Sequence, residues 1–271
     1  MYPSPTPYAA LNAVLDDFVG RIRELLAESF IGAYLQGSFA IGGFDTYSDV
    51  DFLIVLDGDV TDEQLPLLQA LHEDVYALAS PWAQHLEGSY VPKQALQRFP
   101  PPQRSFWYLD NGAKHLIRSD HDDTLVVYWT LREKGIALVG PRPTALVPPI
   151  PVHRLREEIL ATMSTWRDHL AANPNKLNNC FYQPFVVLSY CRMLHSLTMG
   201  AIDSKPAAAA WATEHLDSRW QDLIHNACNA RSGDASVRVR QPADPSDMAR
   251  TWRFVEYAIG LASGWKSTRL L

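Results

Sequence analysis

At 271 residues, 47% apolar and 20% charged, the chain can bury a real core and form one large domain or two of ordinary size. Its net charge of −6 is uneven: residues 1–150 hold 10 Lys/Arg against 19 Asp/Glu and residues 151–271 hold 14 against 11, yet no basic stripe marks a nucleic-acid partner. No run reaches the ~20 apolar residues of a membrane span, the first 18 residues lack the pattern of a signal peptide, and Cys180, Cys191 and Cys228 make neither a paired framework nor a C-x-x-C spacing, so a reducing cytoplasm is expected.

After a proline-rich start at residues 3–7, Ala9 to Ser29 repeats apolar residues at helical spacing (Leu11, Val14, Leu15, Phe18, Val19, Ile22). Ile31–Gln36 reads as a strand ending at Gly37, and Val50–Leu56 as a second strand closed by Asp57-Gly58. Asp62–Ser80 is a helix stopped by Pro81, and Trp82–Val91 a third strand ended by Pro92. Lys93–Arg118 is loop-rich, with Pro100-Pro101-Pro102 and the cluster Phe106-Trp107-Tyr108. A helix follows over Asp122–Lys134, then a short extended piece at Ile136–Val139.

Residues 141–151 contain five prolines and read as an extended linker. Everything beyond is helical in pattern: His153–Ala172, Gln183–Thr198, Pro206–His215, Ser218–Ala230 and Pro245–Ser263. The expectation is an α+β fold in two domains. Residues 1–150 form a mixed sheet with flanking helices, and residues 151–271 an all-α bundle.

The chemistry concentrates in residues 31–56. Gly37-Ser38 ends one apolar run, and Asp49 and Asp51 lie two apart at the start of the next. Side chains at i and i+2 of a strand share a face, so the two carboxylates repel unless a cation neutralises them. A glycine-serine turn beside them offers backbone N–H groups, and the Ser38 hydroxyl, to phosphate oxygens. A divalent metal held against a phosphate chain is the natural reading, with Ser48 just ahead of the pair.

The stretch GSFAIGGFDTYSDVDFLIV resembles the active-site motif of nucleotidyltransferases with a polymerase-β-like fold. That resemblance implies that Gly37 and Ser38 grip a nucleoside triphosphate and that Asp49 and Asp51 hold Mg²⁺. A third carboxylate is then expected on an adjacent strand. Glu87 is the one carboxylate in Trp82–Val91, on a face with Ala83, His85 and Ser89. It is assigned as the general base that takes the proton of an acceptor hydroxyl; a solvated edge-strand charge is its alternative. His85 is read as an assistant or as a neutral hydrogen-bonded histidine.

FVVLSYCRMLHSLTMGAIDSKPAAAAWA, residues 185–212, resembles the helical domain of the aminoglycoside adenylyltransferases that act on streptomycin and spectinomycin. LEGSY at 86–90 and GIALVGP at 135–141 extend the likeness over most of the chain. It implies that Arg192 and Lys205 contact the triphosphate of ATP, with ATP and Mg²⁺ in a cleft between the domains. Their alternatives are a surface ion-pair residue and a loop charge. The chain departs from the family at 179–184, where NCFYQP has no carboxylate for a basic drug, and at Arg231, which stands near a family tyrosine.

The remaining aromatics read as bundle core, Trp107 and Tyr108 being the pair best placed for a ligand. Val237-Arg238-Val239-Arg240 is a basic strip that touches nucleotide or water. His115 and His121, with Asp120, Asp122 and Asp123, are read as capping the next helix. The expected activity is AMP transfer from ATP to a hydroxyl of a small aminoglycoside or aminocyclitol, releasing pyrophosphate, by a monomer with no membrane or nucleic-acid partner. Another small hydroxylated molecule, a protein hydroxyl, or a non-catalytic nucleotide-binding regulator are the alternatives.

Overall fold

The computed structural model describes residues 4–45, 48–98, 104–230 and 238–268. The chain divides after Ile150 into two compact units.

The first unit is built on one six-stranded mixed sheet. Its strands are β1 (Phe30–Leu35), β2 (Val50–Leu56), β3 (Leu86–Pro92), β4 (Phe106–Leu109), β5 (Ile117–Ser119) and β6 (Ile136–Val139), in the order β5-β4-β3-β2-β1-β6. Only β2 and β3 run parallel; every other neighbouring pair is antiparallel. Helix α1 (Ala9–Leu26) lays its apolar stripe, Leu11, Val14, Leu15, Phe18, Val19, Ile22 and Leu26, into the core on one face of the sheet. Helices α2 (Gly37–Ile41), α3 (Gln64–Tyr76), α4 (Leu125–Lys134) and α5 (Pro143–Leu146) complete the unit.

The period of two in β2 positions the chemistry. Val50, Phe52, Ile54 and Leu56 join the core with α1 and α3, and Phe18 meets Phe52 edge to face at 5.0 Å between ring centres. Asp51 is thereby committed to the opposite face. A slip of one residue would drive its carboxylate into the hydrocarbon core.

Several local expectations need correction. The third strand starts at Leu86; Pro81–Gln84 is a 3₁₀ turn with proline at its first position, where the fixed φ suits a helical start, so Ala83 and His85 precede the strand. The segment expected to be loop-rich contains β4 and β5, strands of four and three residues too short to show alternation. The expected linker holds α5, opened by Pro143, and is fastened to β1 by the Tyr34 hydroxyl donating to the Pro141 carbonyl at 2.8 Å. Helix α3 is shorter than its sequence pattern at both ends. Helix α4 begins at Leu125, capped by the Thr124 hydroxyl accepting from Val127 N–H, not by the acidic residues before it. Pro3 and Pro100-Pro101-Pro102 lie outside the described residues.

The second unit is helical: α6 (Val152–Ala172), α7 (Tyr182–Met199), α8 (Lys205–His215), α9 (Gln221–Ala230) and α10 (Pro245–Thr268). Helix α7 is its axis, packing against the other four. It is apolar around most of its circumference, as a central helix must be. The Tyr190 hydroxyl reaches across to the Met163 carbonyl at 2.8 Å and fixes α7 against α6. Ser204 caps α8 by accepting from Ala207 N–H, which sets Lys205 at the first helical position.

Candidate active site

Strand pairing assembles the carboxylates. In the parallel β2–β3 ladder Asp51 stands directly opposite Glu87, and Asp49 lies two residues before Asp51 at the strand entrance. The Gln36 N–H donates to the Asp51 carbonyl at 2.9 Å, so β1 hands the chain to α2 beside this pair. Gly37-Ser38 is not an open turn; it opens the five-residue helix α2, with Gly37 at a φ of +56°. The Ser38 N–H bonds the Asp51 carboxylate. Ser48 is buried immediately before Asp49.

The electrostatics are those of crowded like charges. Burial raises the Asp51 carboxyl well above the usual range, and Glu87, Asp49 and Asp122 push it further, against the Ser38 N–H. Burial also lifts Glu87, to about 7; the Tyr108 hydrogen bond and His121 oppose this, while Asp49 and Asp122 add to it. A carboxylate poised near neutrality is suited to accept a proton.

On this face sequence reasoning missed Asn111, read His121 and Asp122 as helix caps, and marked Tyr108 only as a ligand-facing aromatic. Tyr108 on β4 donates its hydroxyl to Glu87 Oε1 at 2.5 Å. His121 places Nε2 3.5 Å from the same oxygen, and its ring lies tilted against Tyr108, 5.1 Å between centres. Asp122 is buried, accepts from the Ser89 hydroxyl at 2.7 Å and from the Gln36 side chain, and raises Asp51. Asn111 donates its side-chain amide to Asp49 and meets His85 Nδ1 at 3.3 Å. His121 and Asp122 therefore face the carboxylate cluster rather than capping α4. Asp123 is spent instead on Arg104 and Tyr128, and His115 on Glu73. The signal that could have found this side of the site is Asn111-Gly112, a hairpin-turn dipeptide between two apolar runs.

The donor set suits a small divalent cation. Among the described residues no three His, Cys, Asp or Glu side chains form a ready metal cage. Mg²⁺ asks for less: one or two carboxylates, with water and phosphate oxygens completing its shell. Asp49 and Asp51, hard oxygen donors in a like-charged setting, match that demand.

Arg192 and Lys205 belong to the helical unit. Arg192 is half-buried on α7, and Lys205 holds its ammonium 4.4 Å from the centre of the Phe185 ring. In the 179–184 segment Asn179 caps α7, its side-chain oxygen accepting from Phe181 and Tyr182 N–H at 3.0 and 2.7 Å. Arg238 donates to the Cys180 carbonyl at 3.0 Å and lies over Phe181. Arg231 and Val237 lie outside the described residues.

Comparison with known proteins identifies the domains. Residues 17–107 match the nucleotidyltransferase domain model, and residues 145–256 the C-terminal domain model of aminoglycoside adenylyltransferases. The chain thus carries, in order, a nucleotidyltransferase domain and the C-terminal domain of aminoglycoside adenylyltransferases. Among relatives, an aminoglycoside (3'') (9) adenylyltransferase of Escherichia coli is 27% identical over 93% of this chain and 95% of its own length. A spectinomycin 9-adenylyltransferase of Staphylococcus aureus is 25% identical over 79% of this chain and 82% of its own. The structure of a spectinomycin adenyltransferase from Enterococcus faecialis, solved with ATP and spectinomycin, shares the fold at a TM-score of 0.68 and 17% identity, covering 93% of this chain and 98% of that one. The matched domains and the adenylyltransferase relatives make the chain an enzyme of the nucleotidyltransferase type.

Proposed function

We propose that the protein transfers AMP from ATP to a hydroxyl of an aminoglycoside or aminocyclitol antibiotic of the streptomycin or spectinomycin kind, with release of pyrophosphate. The observation that carries this reading is the in-register pairing of Asp51 with Glu87, beside Asp49, in a chain with these two domains. Bound Mg²⁺ would neutralise charge on the transferring and leaving phosphates. Asp49 and Asp51 are its ligands in this reading, and Gly37, Ser38 and Ser48 border the nucleotide. Glu87 takes the proton of the acceptor hydroxyl, whose oxygen attacks the α-phosphorus. The bond to the β-phosphate oxygen breaks, and pyrophosphate leaves with its electron pair.

Arg192 and Lys205 hold the β- and γ-phosphates, a planar fork and a point charge matched to anionic oxygens. Residues 1–150 act as the nucleotidyltransferase domain and 151–271 as the helical domain. Among the described residues no helix is long and apolar enough to cross a membrane, and Cys180, Cys191 and Cys228 form no disulfide. In this reading the protein works in a reducing cytoplasm, as a monomer acting on small molecules without nucleic acid.

One observation favours a second acceptor class. The 179–184 segment has no carboxylate, and Asn179 is committed to capping α7, so a multiply aminated drug would find no counter-charge there. A less cationic hydroxylated molecule is the alternative acceptor. Pyrophosphate release from ATP and Mg²⁺ across a panel running from streptomycin through spectinomycin to uncharged polyols separates the two. Turnover with either drug, and resistance in a susceptible host, supports the first; turnover confined to uncharged acceptors overturns it.

A further inference from the structure

The hydroxyl of Tyr108 sits where the proposed base needs a guide. In the antiparallel β3–β4 ladder Tyr108 stands opposite Ser89, so Glu87, two residues along β3, is its diagonal neighbour on the same face. Tyr108 is buried, whereas the Glu87 side chain keeps 15% of its surface exposed. A rigid two-torsion ring therefore meets a flexible carboxylate at its open end. The contact is a 2.5 Å hydrogen bond to Oε1, the short O–H···O⁻ geometry of a charge-assisted pair. His121 reaches the same oxygen at 3.5 Å and lies against the tyrosine ring. The Tyr108 oxygen is also 3.2 Å from Asp110 Oδ1. One phenolic proton cannot serve both carboxylates fully, and the shorter contact marks Glu87 as its recipient.

We propose that Tyr108 is a positioning residue for adenylyl transfer: its hydroxyl, with the His121 ring behind it, holds Oε1 of Glu87 and leaves Oε2 to take the acceptor proton. The inference rests on the adenylyl-transfer reading above. A glutamate has three side-chain torsions, and a base misplaced by about 1 Å costs on the order of 10²-fold in rate. Tyr108 removes that freedom from Glu87.

The test compares the wild type with Tyr108→Phe, which keeps the ring and loses the hydroxyl. Turnover with ATP, Mg²⁺ and the best acceptor should fall by roughly 10- to 100-fold in kcat, with KM for ATP unchanged. His121→Gln, an exposed position that leaves the fold intact, should give a smaller loss of the same kind. A Tyr108→Phe enzyme with wild-type kcat, or one that loses ATP affinity in proportion to rate, overturns the proposal. The crystal structure of Tyr108→Phe supplies a readout independent of turnover. Glu87 leaving its wild-type rotamer supports the role, and Glu87 unmoved overturns it. A wild type silent toward every acceptor would sink the adenylyl-transfer reading, while the rotamer comparison would still decide whether Tyr108 fixes Glu87.

Discussion

Gly37 gives up its side chain to Asp51: a Cβ built at Gly37 would fall inside the Asp51 carboxylate. Its φ of +56° adds a second constraint, since left-handed backbone costs an L-residue roughly 1–2 kcal/mol. The absent Cβ lets α2 start against β2, and that closeness lets the Ser38 N–H bond the carboxylate. Gly37→Ala should therefore displace Asp51 more than it unfolds the protein. Transfer is expected to fall by about 10²-fold or more, with thermal unfolding lowered by only a few degrees. An alanine variant with wild-type turnover would show that Asp51 can shift at no cost to the reaction.

Glu87→Gln removes the base while keeping shape and most hydrogen bonding. Proton transfer by a positioned side chain contributes on the order of 10²–10⁴-fold, and the variant should lose that much in kcat. ATP binding, followed by calorimetry in the presence of Mg²⁺, should stay close to wild type. A fully active glutamine variant would end the assignment of Glu87 as the proton acceptor.

Asn111 orients Asp49 through its side-chain amide, and His85 braces the amide from the other side. Groups that fix a metal ligand's geometry typically carry 10- to 100-fold in metal affinity. Asn111→Leu should raise the Mg²⁺ concentration needed for half-maximal turnover by about tenfold, while turnover at saturating Mg²⁺ recovers. Identical Mg²⁺ titrations of variant and wild type would remove Asn111 from the site.

How much of this was legible from the residues varies along the chain for physical reasons. The long amphipathic repeats of α1 and α6 read correctly because many positions vote for one period. Asp49, Asp51 and Glu87 were legible because a pleated strand has only two faces, and the parallel register then brings Asp51 opposite Glu87. The contacts of Tyr108 with Glu87 and of Asn111 with Asp49 were not, because β4 has four residues and β5 three, too few for a pattern. His121 and Asp122 looked like helix caps because they precede α4, yet the Thr124 hydroxyl does that work and frees them to face β3. Sequence distance hid the contacts: Ser89 and Asp122 are 33 residues apart and meet at 2.7 Å.

The core side of the same sheet carries an acid-sensitive group. His72 on α3 is 2% exposed, shares a 2.8 Å hydrogen bond with the buried Tyr90 hydroxyl, and packs among Phe18 and Phe52. Burial lowers its pKa from 6.5 to about 3. The folded state therefore keeps His72 neutral at pH values where the unfolded chain protonates it. Stability from this residue is intact above pH 6.5 and falls as the pH drops toward 3, at about 1.4 kcal/mol per pH unit for one proton. His72→Gln keeps a polar partner for Tyr90 and has no proton to take up. Urea unfolding at a series of pH values between 6.5 and 4 should show the wild type losing stability more steeply than this variant, by about one proton's slope. Equal slopes would mean that His72 charges in the folded protein as readily as in the unfolded chain.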